Sequence, residues 1–295
     1  KCSIECIYDI DSSAANKIAN LYGGTVALSP EEAISNPNVD VVYICTSTPT
    51  HTEFILSAAK SGKAIFCEKP IDLDIDRVNK CKKELEQYNV PVHIGFNRRF
   101  DPSHLSANER KNKGEIGKLE QIIITSRDPS GPSAAYLKVS GGMFRDMTIH
   151  DFDLACFILQ NDPVVEIYAT GDRLFSAEAK EANDIDTAMI IMKSESGVLC
   201  HINNSRHASY GYDQRVELFG NKGMLISDNQ SSTSVTKYNN ESTNSKDPIL
   251  NFFIERYEVA YKNQLENFAN CIISQKPPTV NFEDGRIALI IANAA

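Results

Sequence analysis

Hydrophobic positions in residues 1–96 form short, mostly apolar runs that alternate with amphipathic stretches. The runs lie at 4–9, 25–27, 39–45, 64–67 and 92–96, and helical periodicity is found at 12–22, 52–60 and 74–88 between them. Apolar strands separated by helices are typical of a parallel sheet that is covered on both faces. Residues 1–96 are therefore predicted to form an α/β domain of the doubly wound Rossmann type, which binds dinucleotides.

The pattern changes after residue 96. Six later runs are rich in strand-forming residues and separated by turn signals, which predicts a mostly antiparallel sheet. The runs are 119–126, 164–171, 187–193, 198–205, 214–220 and 223–227, with helices expected at 102–113, 141–160 and 257–275. Residues 97–295 are therefore predicted to form a C-terminal α+β domain.

Composition restricts the class of protein. A chain of 295 residues with 42% hydrophobic and 23% charged residues is expected to be globular. The net charge of −9 and the lack of a long Lys/Arg cluster argue against nucleic acid, and no apolar run approaches the ~20 residues of a membrane span. The eight scattered cysteines contain no C-x-x-C pair, which favours reduced thiols in a cytoplasmic protein over a disulfide scaffold or a metal site.

One stretch, residues 141–160, combines helical periodicity with residue types that catalyse proton transfer. In a helix, Asp146, His150 and Asp153 fall at positions i, i+4 and i+7, so two carboxylates and an imidazole share one face. Such a row can hold an alcohol and remove its proton, because a histidine oriented by a carboxylate is a suitable base near neutral pH. The alternative is an amphipathic helix whose polar face is only solvated.

Asp9 ends the first predicted strand. An acid at the end of the second strand of a dinucleotide-binding domain accepts hydrogen bonds from the adenosine ribose and disfavours a 2′-phosphate, so Asp9 favours NAD over NADP. An ordinary turn aspartate is the alternative, and Asp11 suits capping of the helix that follows.

The glycine-rich phosphate loop of such domains is absent from this sequence. Gly23 and Gly24 follow a helix, whereas that loop follows a strand. If Asp9 ends the second strand, the first strand and its loop are expected upstream of Lys1. Without them the pyrophosphate is expected to lack its usual helix N-terminus and the sheet its usual central strand.

Polar residues follow two further strands, at the sheet edge where such domains bind ligands. Lys69, in Glu68-Lys69-Pro70, is a potential hydrogen-bond donor to a substrate hydroxyl or to the cofactor ribose. Pro70 suits a sharp turn, in which the Lys69–Pro70 peptide bond can be cis. The residues that follow the earlier of the two strands could contact the ribose or the nicotinamide of the cofactor. The alternative is that Ser47 or Thr48 caps the next helix. The residues that follow the earlier strand are Thr46, Ser47, Thr48 and His51.

Five segments, in their order along the chain, resemble the Gfo/Idh/MocA family of oxidoreductases, named after glucose–fructose oxidoreductase and inositol dehydrogenase. They are Thr48–His51, Glu68–Pro70, Gly95–Pro102, Gly114–Gly117 and Gly141–Asp153. Three segments are similar to inositol 2-dehydrogenases within that family, namely Thr125–Pro129, Ser140–Asp153 and Tyr210–Arg215.

The resemblance implies a catalytic group of Lys69, Asp146 and His150, and it implies NAD as the cofactor, with Glu68 and Asn97 added to the cofactor-binding residues. It implies oxidation of a cyclic polyol, with myo-inositol and its product 2-keto-myo-inositol favoured. Lys69 would polarise the substrate oxygen and His150 would accept its proton, so no metal is required. The residues available to bind the ring are Arg98, Asp128, Asp153, Tyr210 and Tyr212, beside the catalytic group itself.

The resemblance also implies that the domain of residues 97–295 binds the substrate. The open face of its sheet predicts a homo-oligomer, a tetramer or a dimer, and the resemblance suggests the tetramer. A dehydrogenase of another sugar or of scyllo-inositol remains an alternative, since sibling enzymes differ only in their ring contacts. A non-catalytic regulator that binds cofactor or sugar is the alternative from another class.

Overall fold

The computed structural model describes residues 2–295 and divides them into two compact units. The first unit reaches to Phe96 and also includes Asn267–Arg286. The second unit comprises Asn97–Glu266 and Ile287–Ala295.

The first unit alternates strands and helices, as the sequence pattern predicts. Its elements are β1 (Cys6–Ile7), α1 (Ser12–Tyr22), β2 (Thr25–Val26), α2 (Pro30–Ser35), β3 (Val41–Ile44), α3 (His51–Lys60), β4 (Ala64–Cys67), α4 (Ile75–Leu85) and β5 (Val92–Ile94). All pairings are parallel: β1 pairs with β2, and a separate sheet has the order β3-β4-β5. Within the described residues, β1 and β3 do not pair with each other.

Local sequence explains where these elements begin and how deeply they lie. Asp11, Ser29 and Asp74 cap the first turns of α1, α2 and α4 through their side-chain oxygens. All residues of β4 and β5 are buried, as expected for continuous apolar strands. Cys45 lies just beyond the end of β3 and is exposed.

Residues 267–286 belong to the first unit because they pack on its sheet. The Phe268 ring lies 5.9 Å from the ring of Phe66 and 5.1 Å from that of His93. The backbone N–H of Ile94 donates to the carbonyl oxygen of Val280 over 3.3 Å. A domain boundary after residue 96 stays a prediction, and the structure adds this returning segment.

The second unit is built on a six-stranded sheet. Its elements are α5 (Pro102–Asn112), β6 (Leu119–Arg127), α6 (Ala134–Ser140), α7 (Ile149–Leu159), β7 (Val164–Asp172), α8 (Ala177–Ala182), β8 (Thr187–Ser194), β9 (Leu199–Ser205), β10 (Asp213–Gly220), β11 (Gly223–Ser227), β12 (Thr236–Lys237), β13 (Ser245–Lys246), α9 (Phe253–Ile273) and α10 (Phe282–Ala294), of which the last two also contribute to the first unit. The sheet order is β11-β10-β6-β9-β8-β7, and only the β6–β9 pair is parallel. The prediction of a mostly antiparallel sheet is confirmed.

The two faces of this sheet differ in burial. Ile122, Ile190 and Ile202 lie on the inner face, in one core cluster with Phe152 and Ile158 of α7. The opposite face leaves apolar side chains exposed, among them Met189, Ile191, Leu199, Phe219, Met224 and Ile226. The core therefore fixes the orientation of α7, the helix that carries His150 and Asp153.

The stretch 141–160, predicted as one helix, is helical over 142–159 but is not α-helical throughout. The backbone of Gly141 and Gly142 has φ values of 90° and 82°, so the chain leaves α6 through a left-handed turn. A π-helical turn then spans Phe144–Thr148, and regular α-helix begins at Ile149. The sequence pattern also missed α6, α8 and α10 as helices. Among residues 2–295, none of the helices combines the length and apolar character needed to cross a bilayer.

Candidate active site

The Asp146 carboxylate is held by two other elements of the second unit. Tyr136 of α6 donates its hydroxyl to Asp146 Oδ1 over 2.9 Å, and Arg206, just after β9, donates from Nη2 to Oδ2 over 3.0 Å. Asp184 accepts the backbone N–H of Met143 over 3.1 Å and thereby anchors the start of the π-helical turn. Such turns are frequent at functional sites, because they re-aim side chains without ending the helix.

Arg206 also faces a second carboxylate. Its Nη1 lies 3.8 Å from Oδ2 of Asp128, so two acids share one guanidinium. Burial raises the pKa of Asp128 to about 6, although the charges of Arg206 and Arg98 lower it. Sequence reasoning missed both Arg206 and Tyr136. The available signal for Arg206 was its place directly after a strand of the sheet that also supplies Asp128.

His150 occupies the first turn of α7 and is half-buried. The predicted common face with Asp146 assumed α-helical spacing throughout, whereas Asp146 lies in the π-helical turn. The predicted common face of Asp146 and His150 therefore stays a prediction.

Asp153 lies in α7 and forms an ion pair with Arg99. Its two oxygens accept from Arg99, over 2.9 Å to Nε and 2.6 Å to Nη2, and both side chains are buried. The guanidinium of Arg99 also lies 5.3 Å from the ring centre of Phe157. This bidentate pair gives Asp153 a structural partner, so its predicted contact with the substrate ring stays a prediction.

Arg98 likewise forms a buried ion pair, with Asp151. Burial opposes its charge, but the Asp151 carboxylate raises the pKa of Arg98 above the ordinary value. Arg98 Nη2 donates to Ser126 over 3.2 Å, and Asn204 Nδ2 donates to Asp151 over 2.9 Å. Thr148 completes the network by donating to Asn204 over 2.6 Å. Arg98 thus ties α7 to β6 and β9, and its predicted role in ring binding stays untested.

The two predicted ring-binding tyrosines differ in exposure. Tyr210 is half-exposed; it donates to Asp213 over 2.6 Å and accepts from Arg127 over 3.0 Å. Tyr212 is buried edge-to-face against Tyr257, with 5.9 Å between ring centres, and burial raises its pKa. Tyr210 is therefore the one that a ligand can reach without repacking of the core.

In the first unit, His51 joins two of the predicted ligand-side turns. Its ring nitrogens lie 2.9 Å from the carbonyl oxygen of Thr46 and 2.8 Å from that of Pro70, and the side chain is buried. The structure therefore gives His51 backbone partners at both nitrogens. Neither Ser47 nor Thr48 provides a side-chain cap for the helical turn or the helix that follows, so the capping alternative is wrong.

The turn that carries Lys69 is also fixed within the first unit. The Lys69–Pro70 peptide bond is cis, the option that the sequence allowed. Tyr43 donates to Glu68 Oε1 over 2.8 Å, and burial raises the pKa of Glu68. A Cβ at Gly95 would come within 2.6 Å of Glu68 Oε2, so only glycine leaves room for this carboxylate. Lys69 itself is half-buried.

Two further residues fit the donor and acceptor set that NAD requires. Asp9, just past the end of β1, is exposed, and its Oδ1 accepts the backbone N–H of Asp11 over 2.8 Å. Asp11 caps α1, as its position suggested. Asn97 is buried, and its Nδ2 has no hydrogen-bond partner within the described residues, so a ligand acceptor would satisfy it. Across residues 2–295, no group of three or more His, Cys, Asp or Glu is placed to hold a metal ion.

Comparison with known proteins places the chain in a family. The model described as the oxidoreductase family, NAD-binding Rossmann fold, matches residues 1–96, and that of the GFO/IDH/MocA C-terminal domain matches residues 104–226. The chain belongs to the GFO/IDH/MocA family and is an NAD-dependent dehydrogenase. The predicted family, fold class, enzyme class and cofactor are thereby confirmed.

Three similar proteins are named as inositol dehydrogenases. Myo-inositol 2-dehydrogenase of Thermotoga maritima is 44% identical over 266 residues, 90% of this chain and 79% of that protein. A myo-inositol dehydrogenase structure from Corynebacterium glutamicum is 46% identical, with a TM-score of 0.95 over 99% of this chain and 87% of its own. The structure of scyllo-inositol dehydrogenase from Lactobacillus casei with bound NAD(H) and scyllo-inositol is 26% identical, with a TM-score of 0.89 over 99% and 87%.

Proposed function

We propose that this protein oxidises a CH–OH group of a cyclic polyol, with myo-inositol as substrate and 2-keto-myo-inositol as product. The observation that carries the proposal is the Asp146 carboxylate, held through both oxygens in the π-helical turn that leads into His150. A carboxylate fixed beside a histidine is the arrangement that general-base removal of an alcohol proton needs.

In this proposal His150 accepts the hydroxyl proton while the carbinol carbon loses its hydride. Bound NAD supplies the hydride acceptor, so the protein contributes binding, orientation and proton transfer. The Asp146 carboxylate favours the protonated imidazole by its negative charge, which supports proton transfer near neutral pH.

Lys69 is proposed to donate to the substrate oxygen and to stabilise the negative charge that develops there. The support lies in its turn, which the Tyr43–Glu68 hydrogen bond and the His51 contacts hold in place. A fixed donor costs no reorganisation during the reaction, whereas a mobile surface lysine would.

The proposed ring-binding residues fall into two groups. Asp128 and Tyr210 retain exposed surface. Arg98 and Asp153 are buried in ion pairs, and Tyr212 is buried against another aromatic ring. To contact the substrate ring, each of these side chains would have to keep its present partner and bind the ring as well. We propose Asp128 and Tyr210 as the principal ring contacts of the second unit.

We also propose that Asp9, Thr46, Ser47, Thr48 and Asn97 bind NAD, and that His51 and Glu68 support them from within the first unit. The protein is proposed to be cytoplasmic, because its cysteines form no disulfide among the described residues. A homo-oligomer is proposed through the exposed apolar face of the six-stranded sheet, since such a surface usually finds a partner.

Scyllo-inositol is the second candidate substrate, because the Lactobacillus casei structure contains it. The test is the rate of NADH formation with myo-inositol, scyllo-inositol and D-glucose, followed by identification of the ketone. A higher kcat/KM for myo-inositol than for the other two supports the proposal. A preference for scyllo-inositol or D-glucose replaces myo-inositol as substrate but retains the dehydrogenase chemistry.

A further inference from the structure

Arg206 is buried between two carboxylates and is anchored by its own backbone. Only 4% of its surface is exposed, and its guanidinium reaches Asp146 over 3.0 Å and Asp128 over 3.8 Å. Its backbone N–H donates to the carbonyl oxygen of Asp186 over 2.9 Å. Asp186 in turn accepts three successive backbone N–H groups, from Leu174 to Ser176. The guanidinium is therefore held from a rigid corner of the sheet.

The Asp146 carboxylate receives one donor on each oxygen. Arg206 approaches Oδ2 from the end of β9, and Tyr136 approaches Oδ1 from α6. Two donors from different elements fix the plane of the carboxylate as well as its position. A lysine in place of Arg206 would provide charge but not the planar fork that spans two acids.

We propose that Arg206 is the positioning residue of the catalytic carboxylate: it fixes the orientation of Asp146 and keeps it ionised beside Asp128. This inference rests on the proposed role of Asp146 and His150. Arg206 acts through Asp146 and has no assigned contact with the substrate.

The charges around Asp146 explain why ionisation needs support. Asp128 adds negative charge, and the half-buried His150 follows on the same helical segment. Tyr136 is neutral, and in the Arg98–Asp151 pair the positive and negative charges cancel each other. Arg206 is thus the cation that contacts both acids. Without it, two nearby carboxylates disfavour each other's ionisation, and the pKa of the acids rises.

The test compares Arg206→Gln with Arg206→Lys, using the pH dependence of kcat/KM for myo-inositol. The acid limb of the profile is the fall in kcat/KM at low pH. In the Gln variant this limb is expected to lie about 1 pH unit or more higher than in the wild type, and kcat is expected to be roughly tenfold lower. The Lys variant should retain the wild-type acid limb but lose kcat, because its point charge does not fix the carboxylate plane. A folded Gln variant with a wild-type profile contradicts the inference.

If Arg206→Gln does not fold, the Lys variant decides. Wild-type kcat in Arg206→Lys, or an acid limb that moves despite the retained charge, contradicts the inference; lower kcat with an unchanged limb supports it. Arg256→Gln is the matched control, since Arg256 is an equally buried partner of Asp101 in the same unit. It should lose stability without any movement of the acid limb.

Asp146→Asn separates this inference from the proposed function. Wild-type kcat in that variant contradicts the role of Asp146 itself. If Asp146→Asn is impaired while Arg206→Gln matches the wild type, the proposed function stands and only the role of Arg206 fails.

Discussion

His51 Nδ1 lies 2.8 Å from the carbonyl oxygen of Pro70, in the turn that carries Lys69. Because the other ring nitrogen faces Thr46, one buried side chain joins two turns at the ligand side of the parallel sheet. The histidine that sequence reasoning assigned to cofactor contact therefore has backbone partners on both sides.

We expect His51→Leu to lower the free energy of unfolding by on the order of 1–3 kcal/mol, because the buried carbonyl oxygen of Pro70 loses its contact with the ring. The KM for NAD should rise as well, since the Thr46 turn is a proposed cofactor contact. Urea unfolding and steady-state kinetics measure the two effects. His51→Gln retains an amide donor and should lose less; equal stability of all three proteins would show that these hydrogen bonds contribute nothing.

The Arg98–Asp151 pair predicts a large loss of stability on mutation. Asp151→Ala leaves a buried guanidinium without its counter-charge, which costs about 3–5 kcal/mol. The exposed Lys193–Glu166 pair is the control, and Glu166→Ala should cost less than about 1 kcal/mol. Denaturant titration of both variants makes the comparison. Similar losses in the two variants would contradict the structural role of the buried pair.

Asp128 predicts a dependence of stability on pH. Burial raises its pKa from 3.8 to about 6, so protonated Asp128 stabilises the folded state. That stabilisation is complete below the unfolded pKa and is lost as the pH rises through about 6, where ionisation opposes folding. Its size is on the order of 2–3 kcal/mol, since one pKa unit corresponds to about 1.4 kcal/mol.

Asp128→Asn should therefore raise the melting temperature at about pH 7.5 but not at about pH 4. Scanning calorimetry at both pH values tests this, with Glu241→Gln as a control for charge removal at an exposed position. A gain of equal size at both pH values would mean that ionisation of Asp128 is not its cause.

Periodic sequence signals predicted much of the fold. The strands at 223–227 and 64–67 have the bounds that were predicted. Burial of one or both faces of a strand leaves a clear pattern of apolar residues in the sequence. The helices α6 and α10 were not predicted as such, since α6 follows a loop rich in Pro, Ser and Gly and α10 showed only an apolar run. The π-helical turn escaped prediction because its residues have the same composition as an α-helix.

The sequence suggested which acids and which histidine to consider for the candidate site, but it did not show which arginine pairs with which carboxylate. Arg98 and Asp151 are 53 residues apart, and Arg99 and Asp153 are 54 apart, so a single sequence cannot show which charges meet. The same holds for Arg206, which lies 60 residues from Asp146. Helical spacing placed Asp153 on one face with Asp146 and His150, and it could not show that Asp153 also pairs with Arg99.

The central claim is that His150 removes the alcohol proton, and the most direct test is NADH formation from myo-inositol by the wild type and by His150→Ala. NADH binding is recorded beside turnover for both proteins. The account predicts turnover by the wild type that falls by roughly 10²–10⁴-fold in the variant, with NADH binding retained. Equal turnover by both proteins would contradict the role of His150, and NADH binding without turnover of any polyol would instead indicate a regulator.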